Sequence, residues 1–588
     1  MDKASIMNRI GGIVVFFALL CGFFTSCQWL PEVGKVSLSE SSVALKVGGS
    51  RTLTATVEPA AAEYEGIIWH TSDPSVVVVS NGRIVAKKVG SATITASAAG
   101  VTSSPCQVTV SKTPVSNVSL DKSSVSILEG ESLSLKVTVS PSDATNGSVT
   151  WSTGNSKVAT VSSSGTITAV EEGETTITAK SDDSGITATC KVIVTAEYVD
   201  FPDPNFRKYM VENFDLNGNG KISLTEAGKV VSIDVRTVDI ESLSGVEHCT
   251  NIESINISNE SGVGHIHADG SISYDKPSGK VSAIDITKNK SLKYLNCTYN
   301  QLTELDVSQN SALQSLSCGK NKLTVIDVSR NSVLAFLTCE YNLLTTLDVS
   351  KNAALAYLQC YDNQLTSLDV SKNAALTVLL CYSNQLTTLD VSKNAALTYL
   401  RCYDNQLTSL DVSKNAALQE LNCGINALTT LDVSMNTALI YLDCYINELS
   451  VLDVSKNAKL KRLWCSFNQL SNLNISGNGA LSHLWCENNL ITTLDLSNNS
   501  ALTSLRCSTN RLSFLDLSKN PELSELTCGN NLLVVLDVSK NTKLNRLICS
   551  PMPSLTTLYI NSGQKIDNVT VNRSDDYIPS GTSLVIKQ

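Results

Sequence analysis

The chain has 588 residues with a formal net charge of −10. That is too long for one hydrophobic core, so several domains or an extended array are expected. The acidic balance argues against nucleic acid as a partner, because such binders carry a basic face. Aromatic residues are only 5% of the total, so the places where they gather carry information.

Residues 1–27 read as a targeting segment. Lys3 and Arg9 supply the positive start, Ile10 to Phe24 is an apolar run, and Phe24-Thr25-Ser26-Cys27 follows. The small residues before the cysteine resemble a bacterial lipoprotein signal. That resemblance implies a lipid on Cys27, a membrane attachment through that lipid, and a place in the cell envelope, on the outer membrane facing the exterior. An ordinary secretory signal or a membrane anchor is the alternative. Residues 28–33 form a short tether.

Two modules follow, at 34–112 and 113–197, and they can be laid over one another. Ile68-Trp69-His70-Thr71 and Gly90-Ser91-Ala92-Thr93-Ile94 in the first correspond to Val149-Thr150-Trp151-Ser152 and Gly173-Glu174-Thr175-Thr176-Ile177 in the second. Alternating Val, Ile and Thr runs between Gly, Asn and Pro turns predict antiparallel sandwiches. Trp69 and Trp151 are expected to be core anchors. Each module holds one cysteine, Cys106 or Cys190, so neither can close an internal disulfide. These motifs resemble the group 2 bacterial immunoglobulin-like domain, which implies a stalk.

Residues 198–232 change character. Phe206, Tyr209, Met210 and Phe214 have helical spacing, and the run Asp215-Leu216-Asn217-Gly218-Asn219-Gly220-Lys221-Ile222-Ser223-Leu224-Thr225-Glu226 follows. Oxygen ligands stand at positions 1, 3, 5, 9 and 12, with glycine at 6, as a twelve-residue calcium loop requires. Asp215, Asn217, Asn219, the Lys221 carbonyl, Ser223 and Glu226 are the candidate ligands, and calcium the candidate structural cofactor. The loop resembles a single EF-hand or dockerin hand. A helical cap without metal is the alternative.

From 233 to 558 the chain repeats itself, irregularly at first. Ser261 to Lys280 reads as an inserted surface loop, with His265 and His267 solvated. Thereafter a cysteine recurs every twenty-one residues from Cys297 to Cys549, within Leu-x-x-Leu-x-Cys-x-x-Asn-x-Leu-x-x-Leu-Asp-Val-Ser-x-Asn. A fixed period of this length means a solenoid whose coils bury their apolar sides by stacking. Each coil contains the half-motif twice, which predicts two short strands per coil and two parallel sheets facing across a narrow core. Leu295, Cys297, Leu305 and Val307 should point inward, and the two asparagine columns should satisfy backbone groups at the turns.

The cysteine column has three readings: buried free thiols, disulfides between neighbours, or a metal site. Cysteine fills the slot that Val, Ile or Leu fills in the other half-coil, and parallel in-register side chains do not reach disulfide spacing, which favours buried thiols. The repeat resembles the leucine-rich repeats of internalin J-type surface proteins, and this implies adhesion. Residues 559–588 read as a C-terminal cap. The fold class is mainly β: two sandwiches, then a solenoid with a small helical N-terminal cap.

Comparing coils within the chain separates structural columns from presented ones. The Asp-Val-Ser side repeats Asp306, Asp327, Asp348 and Asp369 monotonously, with a lysine column from Lys351 to offset the charge, and reads as structural. The cysteine-strand side varies and carries Tyr357, Tyr361, Tyr382, Tyr399, Arg401, Tyr403, Tyr441, Tyr445, Arg462, Trp464, His483, Trp485 and Arg506. Aromatics and arginines are the residues enriched at binding hot spots, so these are the candidate ligand-binding residues. No catalytic constellation stands out, and an enzyme is not expected. The function read from this is adhesion through a protein ligand at the cell surface. A glycan bound for nutrient capture and a structural spacer are the alternatives.

Overall fold

The computed structural model describes residues 31–235, 239–259, 264–266, 272–274, 279–562 and 582–587. Cys27 and its signal segment lie outside these residues, as do His267, the side chain of His265 and most of the C-terminal cap. Two compact units divide near Thr195. Among the described residues no helix is long and apolar enough to cross a membrane.

The first unit holds both sandwiches, and their topologies repeat. In the first module Ser42–Lys46, Cys106–Ser111, Gly90–Ala98 and Ile68–Thr71 make one sheet, opposed by Ser50–Thr52, Arg83–Ala86 and Val77–Ser80. In the second, Ser124–Leu128, Thr187–Thr195, Gly173–Ser181 and Val149–Thr153 face Ser132–Ser134, Thr166–Ala169 and Ala159–Val161. Trp69 and Trp151 each pack against their module's core, as expected. Both lie over a turn glycine of positive φ. A Cβ on Gly82 would come within 3.0 Å of the Trp69 ring, and one on Gly165 within 2.6 Å of Trp151. The Asn-Gly and Ser-Gly turns therefore serve the indole as well as the hairpin. Cys106 and Cys190 are buried free thiols.

The second unit opens with the helix Pro204–Phe214, capped by Asp203. The Asp203 carboxylate also accepts from the backbone N–H groups of Glu241 and Ser242, tying the cap to the start of the solenoid. Burial works against its charge, yet its backbone donors hold its pKa below the usual carboxylate value. Fifteen parallel strands of three residues each then stack in register, from Ser232–Asp234 to Arg546–Ile548. Ladder leucines and all thirteen repeat cysteines face the core, nearly all fully buried. Within the insertion, expected to be a plain loop, Gly264–Ile266 pairs antiparallel with Ile272–Tyr274.

The expected second sheet forms only in part. On the Asp-Val-Ser side Leu305 and Val307 are buried as expected. Among the described residues strand pairing there is limited to one bridge, Asp432 with Asp453, and to a C-terminal sheet of Val535–Asp537, Thr557–Asn561 and Ser583–Lys587. Elsewhere side chains take over the role of the ladder. Asn310 Nδ2 donates to the Ile286 and Asn289 carbonyls of the preceding coil at 2.9 and 2.8 Å, and this recurs in every coil to Asn541. Asp306 Oδ1 accepts from the Ser308 N–H at 2.8 Å, and its column does the same. The aspartate column is thus chiefly a turn device. At Asp348 and Asp369 the serine bonds are the first cause of a lowered pKa, and the neighbouring lysine is a lesser one.

Candidate functional site

The varied face of the sheet is built from three columns. The first strand position carries Tyr357, Tyr399, Tyr441, Arg462 and His483, and the third carries Arg401, Trp464, Trp485 and Arg506. The residue after each cysteine carries Tyr361, Tyr382, Tyr403 and Tyr445. Parallel register about 4.8 Å apart places like positions side by side, so the rings can ladder.

They do so face to face. Tyr361 and Tyr382 stack at 4.1 Å between centroids and 10°, and Tyr382 and Tyr403 at 4.3 Å and 10°. Phe336 stacks on Tyr357 at 4.4 Å. The row then breaks at Gly424, where the Tyr445 ring fills the space a side chain would take, 2.5 Å from a notional Cβ. Tyr445 lies flat on Trp464 at 3.9 Å, and Trp464 meets Trp485 edge-on at 5.2 Å. His483 is further off, 6.4 Å from Trp485. Most of these rings are half-buried, while Tyr399 and Tyr441 are 41% and 37% exposed. The stacked rings therefore present edges and hydroxyls to solvent, and their faces are largely used up on one another.

The three arginines are engaged within the chain. Arg401 Nε donates to Glu420 at 2.6 Å. Arg462 grips Asp443 through Nε and Nη2 at 3.0 and 2.7 Å and lies over the Tyr441 ring. Arg506 reaches Glu525 at 3.0 Å and lies over Trp485. Glu420 and Asp443 occupy outward columns but are only 7% and 4% exposed, roofed by long neighbours. Burial raises the Asp443 pKa against the opposing pull of Arg462. These acids were not among the residues singled out from the sequence. A usable signal exists: each Arg–acid pair is separated by nineteen residues, the diagonal neighbour in a repeat of twenty-one.

The cysteine column is a ladder of free thiols. Burial pushes the Cys360 thiol up to about 12, and Cys297 and Cys507 likewise. The adjacent asparagines are well satisfied. Asn321 Nδ2 donates to the carbonyls of Cys297, Cys318 and Gly319, and its Oδ1 accepts from Leu302 N–H at 3.0 Å.

At the cap, the calcium-type loop wraps its first residue. Asp215 Oδ1 accepts from Gly218 N–H at 2.8 Å, and Oδ2 from Gly220 N–H at 2.7 Å, with Gly220 at φ +80. Asn219 Oδ1 accepts from Lys221 N–H. Glu226 is 3% exposed and accepts from Leu216 N–H and Ser223 N–H, both at 2.9 Å. Ser223 caps the short helix Leu224–Ala227 in a reciprocal box with Glu226. Ile222 accepts through its carbonyl from Val199 N–H, beside an isolated bridge between Tyr198 and Ser223, so the segment before the helix pairs with the loop. An oxygen-only donor set with two carboxylates suits a hard cation such as calcium. Among the described residues no cluster of three or more His, Cys, Asp or Glu offers another metal site.

Residues 32–108 and 114–192 match the family described as bacterial Ig-like domain (group 2). A stretch of 163 residues is 35% identical to an uncharacterized protein of Clostridium acetobutylicum, covering 27% of this chain and 17% of that one. Another comparison finds 31% identity over 168 residues with the Ig-like virion protein of Serratia phage KSP90, 28% of this chain and 65% of that protein. The chain thus spans less than two thirds of either relative. Among solved structures, the functional domain of InlJ from Listeria monocytogenes, which includes a cysteine ladder, superposes with a TM-score of 0.55. It is 34% identical, over 64% of this chain and 80% of that one. The chain therefore combines immunoglobulin-like domains with an internalin-like leucine-rich repeat solenoid, a surface-protein-like architecture suited to adhesion or interaction.

Proposed function

We propose that the protein is a lipid-anchored adhesin that binds a protein ligand on the cysteine-strand face between Tyr357 and Arg506. The observation that carries this is the mutual stacking of the tyrosines at 4.1 and 4.3 Å. Sugar rings need open aromatic faces, whereas edges and hydroxyls on a preorganised wall suit a protein surface at low entropic cost. The Arg–acid clamps, two of them on buried carboxylates, support the same reading, since they lock the wall's geometry. The glycan alternative is left with Tyr399 and Tyr441, which lie apart from the stacked row and are the most exposed rings between Tyr357 and Arg506 after Phe467.

The lipid on Cys27 and a position on the outer membrane facing outward rest on the signal segment. Calcium at Asp215, Asn217, Asn219, Lys221, Ser223 and Glu226 would hold the loop closed beside the segment at Tyr198 and Val199, a structural role. No reaction is assigned to the chain. The test is binding of the soluble chain to arrayed host proteins and to arrayed glycans, beside a Tyr403→Ala/Trp464→Ala/Trp485→Ala variant. At least a tenfold loss of a protein signal in the variant is expected. An unchanged protein signal, or signals confined to glycans, would refute the assignment. For calcium, calorimetry on the chain and on Asp215→Ala/Glu226→Ala is expected to show heat only in the parent.

A further inference from the structure

The residue two positions after each ladder cysteine is left-handed in every coil from Tyr299 to Asn530, with φ between 49 and 59. The coil imposes this, because the next residue is the asparagine whose amide closes the turn. Asn and Asp tolerate that region; a β-branched residue does so only under strain. Polar residues fill most coils, Lys320, Asp362, Ser383, Asp404, Asn488, Thr509 and Asn530, while Tyr299 and Tyr341 hold the Lys320 ammonium over their rings. Three successive coils instead place wholly apolar side chains there. Ile425 and Ile446 sit at φ 49 and Phe467 at φ 56.

Burial does not explain the choice. Ile446 is 43% exposed, Phe467 is 50% exposed, and Ile425 is half-buried. The fold thus bears backbone strain at three adjacent points, exposes apolar surface at Ile446 and Phe467, and gains no fully buried side chain from any of them. Outliers of this kind that persist without a packing return point to function. The backbone keeps its ladder through the turns, Ile425 N–H to Tyr445 O at 2.8 Å and Ile446 N–H to Ser466 O at 2.9 Å, so the three side chains form a fixed strip. Gly424 and Ala427 leave its first coil low. The turn segments flanking it carry Asp362, Asp404, Glu448 and Glu487, and from 361 to 490 they contain no lysine or arginine.

We infer that the strip Ile425–Ile446–Phe467 docks a protein segment whose apolar side chains are flanked by lysine or arginine. Apolar contact would supply the affinity and the acidic rim the orientation. The strip lies in the turns at the edge of the aromatic wall and goes beyond the sheet-face reading.

The test uses the whole soluble chain and a fluorescein-labelled amphipathic peptide of leucine and lysine, read by anisotropy. A leucine–glutamate peptide and a lysine–serine peptide are the controls. The variant is Ile425→Asn/Ile446→Asn/Phe467→Asn, which keeps every acid and installs the residue that the left-handed turn prefers. The expected result is binding of the leucine–lysine peptide alone, weakened at least tenfold in the variant, with a Tm equal to or above the parent's. No binding by the parent, equal binding by the variant, or a lowered variant Tm would overturn the inference, the last because it would assign these residues to the fold. The Tyr403→Ala/Trp464→Ala/Trp485→Ala variant should keep peptide binding, so failure of the sheet-face reading is told apart.

Discussion

Asn394 offers a sharp test of what holds the coils together on the side without a sheet. It is fully buried, and its Nδ2 donates to the carbonyls of Val370 at 3.0 Å and Asn373 at 2.9 Å. Each carbonyl also accepts a backbone bond, from Asn373 N–H and Leu376 N–H respectively. The Asn394 Oδ1 has no hydrogen-bond partner. Asn394→Ala therefore removes two bonds worth about 1 kcal/mol each, partly offset by losing an unpaired oxygen, for a net cost of about 1–2 kcal/mol. Asn394→Asp has the same shape but places a buried carboxylate against two carbonyl oxygens, costing on the order of 3–5 kcal/mol at neutral pH.

Solenoids open locally, so amide hydrogen exchange in the coils around residues 370–394 is the assay, with Tm as a second reading. The aspartate variant should lose about a hundredfold or more of protection there at pH 7, and the alanine variant about tenfold, since about 1.4 kcal/mol is a factor of ten. The sign with pH is definite. The folded-state pKa of Asp at 394 would be raised, so its penalty shrinks below that value and grows as pH rises through it, while the alanine variant stays flat. Equal effects of Ala and Asp at pH 7 would refute the donor role of this column.

Two further expectations follow from the same geometry. The ladder thiols should resist a thiol reagent in the native chain at pH 8 and react on denaturation; with Cys360 pushed up to about 12, stability should be lost as pH rises above the unfolded thiol value, roughly 8.5, which a pH series of melting curves checks. Arg462→Ala should strand the buried Asp443 carboxylate, lowering stability by about 3 kcal/mol at pH 7. Recovery is expected at acid pH, where the raised Asp443 pKa lets it protonate, and on adding Asp443→Asn. A melting temperature indifferent to both changes would refute the clamp.

Sequence periodicity determined the coil, the inward columns, the free-thiol ladder and the sandwich pair, because each depends on spacing alone: period two along a strand and twenty-one between coils. It also placed Tyr361, Tyr382 and Tyr403 in one row. The turn of residues 215–226 was legible because the oxygen-bearing side chains that close it lie near one another in the chain. Tertiary structure decided what spacing leaves open. Both half-coils carry the same pattern, yet one pairs by backbone while the other hands its hydrogen bonds to Asp306 and Asn310 and their columns. Arg401, Arg462 and Arg506 looked free along a line of sequence, but their partners lie diagonally in the next or preceding coil. Whether a ring shows its face or its edge is a matter of angle, and whether Ile425, Ile446 and Phe467 are core or display depends on a backbone turn that no composition reveals.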